Sequence, residues 1–266
     1  YDALGFPKPK FGHISLILGK DRTKMSKRHG ATSVQQYREL GYLPEAIVNF
    51  LALLGWAPQG EQEIFSIEEL IEQFSMDRVS KSPAVFDIDK LNWINAHYMR
   101  QANPERVLEL ALPHLIKAGY ITPAEAEEKR AWLLGVITAV QEHLSYAAQV
   151  VDHVDVFFND EVEFENDEAK AVLADETVLP VLEAFKTKLA ALSVVDQTNV
   201  QALFKSIIKE LKVNAKKVYM PIRVALTGKM HGPEMFTLIP LLGAERALWR
   251  LERTMAKSPT IIDIFG

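Results

Sequence analysis

The chain has 266 residues, of which 48% are hydrophobic and 24% charged, a composition typical of a globular protein with one or two domains. It has no cysteine, so disulfides, thiolate zinc sites and cysteine nucleophiles are excluded. No apolar run approaches the ~18 residues that a membrane span needs. The start, Tyr1 to Phe6, reads as neither a signal peptide nor a natural initiator, and we expect a cut into a longer protein.

The net charge of −5 is spread unevenly along the chain. Residues 1–30 carry seven Lys/Arg and two Asp, and residues 203–232 carry seven Lys/Arg and one Glu. Residues 152–183, in contrast, carry eleven Asp/Glu and one Lys. Two basic regions separated by an acidic one favour a polyanionic partner that is touched at two places.

The first basic region follows a short apolar run, Ile14 to Leu18, which we interpret as a buried strand. From Gly19 to Gly30 the sequence then has five Lys or Arg against one Asp, without an apolar period. A solvated charge run is the common meaning of such a stretch. The alternative is a mobile loop that meets phosphate, with a glycine at each end to let the backbone bend.

From Ser33 onward the pattern is helical. Capping boxes begin at Ser33 and Ser66, and Thr122 opens a helical stretch expected to run through Ala148. Asn103 followed by proline restarts the chain, and we place a domain boundary there. Residues 159–168 are expected to be exposed and partly irregular. Four tryptophans are assigned to the core, and further helices are predicted at about 177–192, 199–211, 214–226, 233–242 and 244–257; the tryptophans are Trp56, Trp93, Trp132 and Trp249.

The order of residues in the basic stretch carries more information than its charge. Lys24-Met25-Ser26-Lys27-Arg28, followed by His-Gly-Ala, resembles the second signature loop of class I aminoacyl-tRNA synthetases. Three later stretches resemble the bacterial-type glutamyl-tRNA synthetases, namely residues 29–58, 86–100 and 220–243. The resemblance covers nearly the whole chain, and it is weak in the acidic middle.

This resemblance implies a mainly α-helical fold with three parts. Residues 1–30 would end a Rossmann-type catalytic domain, 31–104 would form a stem-contact domain, and 105–266 would form a helical anticodon-binding domain of two subdomains. The family ligates L-glutamate to tRNA(Glu) through glutamyl-adenylate, using ATP and Mg2+. Lys24 and Lys27 would be catalytic, and the whole Lys24-Met25-Ser26-Lys27-Arg28 loop would hold ATP phosphates.

The other family signature, His-Ile-Gly-His or a variant, is missing from this chain. We therefore expect the chain by itself to bind tRNA without aminoacylating it. The resemblance further implies a cytoplasmic, monomeric protein without a bound metal of its own. It leaves open whether tRNA(Gln) is also charged.

Anticodon contacts are assigned through the resemblance to three places. Arg223 matches a family position that contacts the anticodon, although a surface arginine is an equal alternative from the residue alone. His143 replaces an arginine of many relatives at a position bearing on the last anticodon base, where a structural histidine is the alternative. The third place is an adjacent turn and helix start, against which anticodon bases would stack. The alternative is that Gly and Pro only end one helix and begin the next. The residues are Thr227, Gly228, Gly232, Pro233 and Met235.

A row of lysines is the candidate track for tRNA phosphates. The spacing of three and four residues places them on one helix face if the helix continues that far, and a solvated lysine face is the alternative; they are Lys205, Lys209, Lys212 and Lys216.

Three other functions were weighed against the leading one. A tRNA-binding or synthetase-like regulatory module without catalysis is the main alternative, and a glutaminyl-tRNA synthetase is disfavoured because the pattern after residue 104 is helical. A catalytic role for Asp152, His153 and Asp155 is also disfavoured, because no nucleophile is placed near them.

Overall fold

The computed structural model describes residues 1–12, 15–26, 28, 30 and 33–257. Helices account for 62% of it and strands for 3%, which confirms the mainly α prediction. The chain divides into two compact units. The first unit comprises Tyr1–Ala102 and Leu144–Ala148, and the second comprises Asn103–His143 and the chain from Gln149 onward.

The first unit is built from four α-helices and a pair of two-residue strands among its described residues. Strands β1 and β2 are parallel, with Ile17 opposite Ala84 and Leu18 opposite Val85. In chain order the elements are β1 Ile17–Leu18, α1 Val34–Glu39, α2 Pro44–Leu53, α3 Ile67–Gln73, β2 Ala84–Val85 and α4 Ile88–Gln101.

Local chemistry explains where these helices begin. The Ser33 and Ser66 hydroxyls each accept the backbone N–H three residues on, and Gln36 and Glu69 reach back, so both predicted capping boxes are confirmed. Helix α4 is capped by Asp87. Apolar residues spaced three or four apart then bury one face of each helix, and the fully buried ones include Leu43, Ala46, Leu91 and Ile94.

The second unit is helical throughout its described elements. Its helices are α5 Pro104–Lys117, α6 Pro123–Glu128, α7 Arg130–Val140, α8 Val150–His153, α9 Asp155–Phe158, α10 Asp167–Val172, α11 Val178–Ala190, α12 Gln197–Leu211, α13 Lys216–Thr227 and α14 Met235–Lys257. The last four pack against one another. Gly243 interrupts α14 with φ 77° and ψ 160°.

Several sequence predictions are wrong in detail. The apolar run before the basic loop is not a buried strand over its described part, since Leu16 is 57% and Ile17 37% exposed; Ile14 lies outside the described residues. The helix opened by Thr122 does not run through Ala148, because α6 ends at Glu128 and α7 at Val140. Trp93 is 50% exposed and Trp249 36% exposed, so only part of the tryptophan prediction holds; Trp56 is buried.

None of the helices within the described residues combines the length and the hydrophobicity that crossing a membrane requires.

Candidate nucleic-acid interface

The C-terminal end of helix α13 leads into a tight turn that we call the reading turn (residues 228–233). Gly228 ends the helix in the left-handed region with φ 72°, and a Cβ atom at this position would lie 1.8 Å from the carbonyl oxygen of Glu163. Only glycine fits there without displacing backbone. Thr227 begins the turn: its hydroxyl donates to the Arg223 carbonyl at 2.8 Å and accepts the Lys229 N–H at 3.1 Å.

Arg223 is half-buried beneath this turn. One of its guanidinium nitrogens donates to the Pro233 carbonyl at 2.9 Å, so it supports the turn that it adjoins. Burial lowers the pKa of Arg223, and the nearby Glu234 carboxylate opposes that shift. Met235 is 2% exposed, so its side chain lies in the core and cannot contact a base in this conformation, contrary to its assignment.

A cavity of about 240 Å³ opens beside Arg223 within the second unit. Lys229 and Asp155 meet in its wall, with the ammonium 2.7 and 2.8 Å from the two carboxylate oxygens. Five of the predicted site residues line it, namely His143, Arg223, Thr227, Gly232 and Pro233. The cavity therefore gathers residues from stretches that are far apart in the sequence.

Two histidines form another part of the cavity wall. The rings of His143 and His153 stack with centroids 5.9 Å apart and planes 23° from parallel. Burial is the main cause that lowers the pKa of His153; the neighbouring His143 and Lys229 act in the same direction, and the Asp152 and Asp155 carboxylates oppose the shift. Each neutral imidazole offers one donor and one acceptor, which suits hydrogen bonding to the edge of a base.

The sequence reasoning did not assign five polar or charged residues that line this cavity, namely Asp152, His153, Asp155, Lys229 and His231. Asp155 and His153 had been weighed only as catalytic groups. In the structure the Asp155 carboxylate is bound to Lys229. The sequence offered one signal for this part of the cavity, namely Lys229 between Gly228 and Gly232.

The four candidate phosphate lysines do not share a helix. Helix α12 ends at Leu211, and Lys212 adopts the left-handed conformation with φ 51°. Lys216 is the first residue of α13. Lys205 and Lys209, four residues apart, do share one exposed face of α12, opposite its buried Phe204 and Ile207. All four lysines are exposed, so they remain accessible to phosphate.

The described part of the basic loop is a hydrogen-bonded turn. The Gly19 N–H donates to the Thr23 carbonyl at 2.8 Å, and the Met25 N–H donates to Ile17 at 3.2 Å. Arg28 donates to the Thr23 hydroxyl at 2.7 Å. Lys24 and Ser26 are exposed. Lys27, the second lysine assigned to phosphate, lies outside the described residues.

Comparison with known proteins finds a family match both for the part that contains the basic loop and for the part that contains the cavity. The family model for the anticodon binding domain matches residues 106–255, and the model for the catalytic domain of class I tRNA synthetases (E and Q) matches residues 1–93. The chain belongs to the glutamate–tRNA ligase family. Glutamate–tRNA ligases from Desulforamulus reducens and Heliobacterium modesticaldum are 52% and 55% identical over 96% and 95% of the chain, which spans 53% and 51% of them.

A solved structure of a family member gives the same result. The glutamate tRNA ligase from Elizabethkingia meningosepticum, crystallised in complex with its amino acid, superposes with a TM-score of 0.80 at 26% identity, covering 97% of this chain and 53% of that one. The chain thus spans about half the length of the glutamate–tRNA ligases it matches, and the family resemblance predicted from its sequence motifs is confirmed.

Proposed function

We propose that this chain is the tRNA-binding part of a glutamate–tRNA ligase, and that the whole enzyme joins L-glutamate to tRNA(Glu) in two ATP-dependent steps through glutamyl-adenylate. The observation that carries the proposal is the cavity in the helical unit, where Arg223, Thr227 and His143 meet. Family membership supplies the substrate class, and the cavity supplies a place for an unstacked base.

The anticodon-domain model begins at residue 106, whereas the catalytic-domain model extends to residue 93 and does not separate a stem-contact domain. We infer that residues 1–30 end the catalytic domain, 31–104 contact the tRNA stem, and 105–266 bind the anticodon. The units meet in sequence between Ala102 and Asn103, which supports a boundary near 104. A monomeric and cytoplasmic protein is the corresponding expectation, and charging of tRNA(Gln) stays open.

In the anticodon-binding part, single-stranded bases would be read and phosphates would be held by different groups. Arg223, Lys229 and the two stacked histidines offer donors and acceptors at the cavity, while Gly232 and Pro233 shape its rim. Lys205, Lys209, Lys212 and Lys216 offer exposed charge for the backbone. Base contacts give specificity, and phosphate contacts give affinity that falls with salt.

In the catalytic part, Lys24 and Lys27 would stabilise the charge that builds on pyrophosphate as the adenylate forms, with Met25, Ser26 and Arg28 completing the loop around the phosphates. An ammonium placed in advance stabilises the transition state more than the ground state. Within the described residues, no group of three or more His, Cys, Asp or Glu side chains is arranged to hold a metal ion.

A binding titration tests the anticodon proposal. The chain is titrated with a transcript of tRNA(Glu) and with transcripts altered at each anticodon base. We expect Arg223→Gln to weaken binding of the unaltered transcript by about tenfold, the effect of losing one charge-assisted hydrogen bond, and to weaken binding least for the transcript altered at the base that Arg223 contacts. Arg130→Gln is the matched control, because it removes one positive charge without touching the cavity lining. Equal binding of all transcripts by the unaltered chain refutes the proposal.

A further inference from the structure

An acidic segment lies directly behind the reading turn, although acidic groups repel RNA. We call residues 155–165 the acidic strap. Asp160 lies 3.2 Å from Arg246, and Glu161 lies 2.7 Å from Arg253. These two ion pairs join the strap to helix α14 and place a cation beside two of its carboxylates.

Buried hydrogen bonds strengthen the attachment. Arg250 is 1% exposed, and its guanidinium donates to the carbonyls of Val156 at 2.7 Å and Leu226 at 2.9 Å, and also to that of Asn159. Arg246 donates to the Phe157 carbonyl. Arg250 thus joins the strap, through Val156, to Leu226 near the end of helix α13, shortly before the reading turn.

One strap residue, Glu165, forms hydrogen bonds with the reading turn at two of its residues, Gly228 and Met230. The Glu165 N–H donates to the Gly228 carbonyl at 3.1 Å, and the Glu165 carboxylate accepts the Met230 N–H at 2.8 Å. Lys229 lies between these two points, and its own side chain is held by Asp155 of the strap. Both the backbone and the ammonium of Lys229 are therefore positioned by the acidic strap.

We propose that Glu165 is a positioning residue for anticodon discrimination: by fixing the backbone at Gly228 and Met230, it holds Lys229 and the reading turn in the geometry that a base meets. This inference rests on the proposed function of the cavity. Glu165 contacts no base itself. A turn with glycines at 228 and 232 has wide backbone freedom, so its order must come from such outside contacts.

A purely electrostatic role makes the opposite prediction. If Glu165 acted only as a negative charge near RNA, its removal would strengthen binding to every transcript alike, and removal of Glu163 would do the same. Glu163 belongs to the same strap, and its side chain is exposed. The pair Glu165→Ala and Glu163→Ala therefore separates positioning from charge.

The test uses the 266-residue chain with tRNA(Glu) transcripts carrying the unaltered anticodon or a single base change. The measured quantity is the dissociation constant for the altered transcript divided by that for the unaltered transcript. We expect Glu165→Ala to reduce this ratio by about tenfold, the effect of losing one hydrogen bond to a carboxylate. Glu165→Gln retains an acceptor oxygen for Met230 and should restore most of the ratio, and Glu163→Ala should leave it unchanged.

Each outcome decides one question. Discrimination by the unaltered chain that survives Glu165→Ala overturns the inference and leaves the proposed function standing. A uniform rise in affinity in both alanine variants also overturns it, in favour of charge alone. An unaltered chain that does not discriminate refutes the proposed function instead, and amide exchange at Met230 then shows whether Glu165 orders the turn: unchanged exchange in Glu165→Ala overturns the positioning role as well.

Discussion

The close contact between the acidic strap and the reading turn can be tested by adding one methyl group at Gly228. In Gly228→Ala the new Cβ would lie 1.8 Å from the Glu163 carbonyl oxygen, whereas real contacts of this kind stay above 3.0 Å. The two backbone segments must separate by about 1.2 Å to relieve the overlap. Such a shift breaks the hydrogen bond from Glu165 to the Gly228 carbonyl and strains the one from Met230 to the Glu165 carboxylate.

The free-energy change has two separable parts. An alanine in the left-handed conformation costs about 1–2 kcal/mol by itself. The loss of the neutral hydrogen bond and the weakening of the one to the carboxylate add roughly 2–3 kcal/mol. We therefore expect Gly228→Ala to lower the free energy of unfolding of the helical unit by roughly 3–5 kcal/mol.

Gly119 provides the matched control. It also follows a helix, its φ is 79° against 72° at Gly228, and a Cβ there would meet nothing within 4 Å. Gly119→Ala should therefore show the conformational cost alone, about 1–2 kcal/mol.

Native-state hydrogen exchange of amides in the helical unit is the suitable assay, because it reports the unfolding of this unit separately from the first. A core amide of α13, such as that of Ile222, serves as the probe. If the two variants change the unfolding free energy equally, the strap does not press on the turn, and the close approach at Gly228 has no energetic consequence.

Three further predictions concern Arg250, His153 and Lys27. Arg250→Met leaves three backbone carbonyls without their donor and should lower the free energy of unfolding by roughly 3 kcal/mol. The control, Arg253→Met, removes an exposed ion pair and should lower it by less than about 1 kcal/mol. Equal urea midpoints for the two variants would contradict this prediction. Because the pKa of His153 is lowered on folding, stability should fall as pH drops below about 6.5 towards that lowered value, and His153→Gln should flatten this slope in urea titrations at pH 5–7. In the whole enzyme, Lys27→Ala should slow ATP–pyrophosphate exchange by about two orders of magnitude and hardly change tRNA affinity, and unchanged exchange would refute the phosphate role.

Helix beginnings were predictable from the sequence because capping is a local interaction. Ser33 and Ser66 bond to groups three residues away, so a four-residue pattern contains the whole cause. The end of α12 at Leu211 was also predicted, although no glycine or proline marks it. The exposure of Trp93, in contrast, was hidden, because helical spacing shows that a face exists but not whether another element covers it.

The cavity was only partly predictable, for a related reason. The resemblance identified Arg223 and His143, each by a short motif. The pairing of Asp155 with Lys229 joins residues 74 positions apart, and no periodicity or spacing connects them. Charge composition even argued against the proposed site, since an acidic segment next to a surface for RNA is unfavourable unless cations pair with its carboxylates.

Net charge is therefore a poor guide to what this chain binds, because what matters is which charges remain uncompensated. The strap carboxylates at 155, 160 and 161 each lie within 4 Å of a lysine or arginine of the same unit, so little of their field extends towards a ligand. Lys205 and Lys209 are exposed on α12 and are available to meet phosphate. A net charge of −5 is therefore compatible with the proposed binding of a nucleic acid, because acidic residues pair within the unit while Lys205 and Lys209 stay exposed.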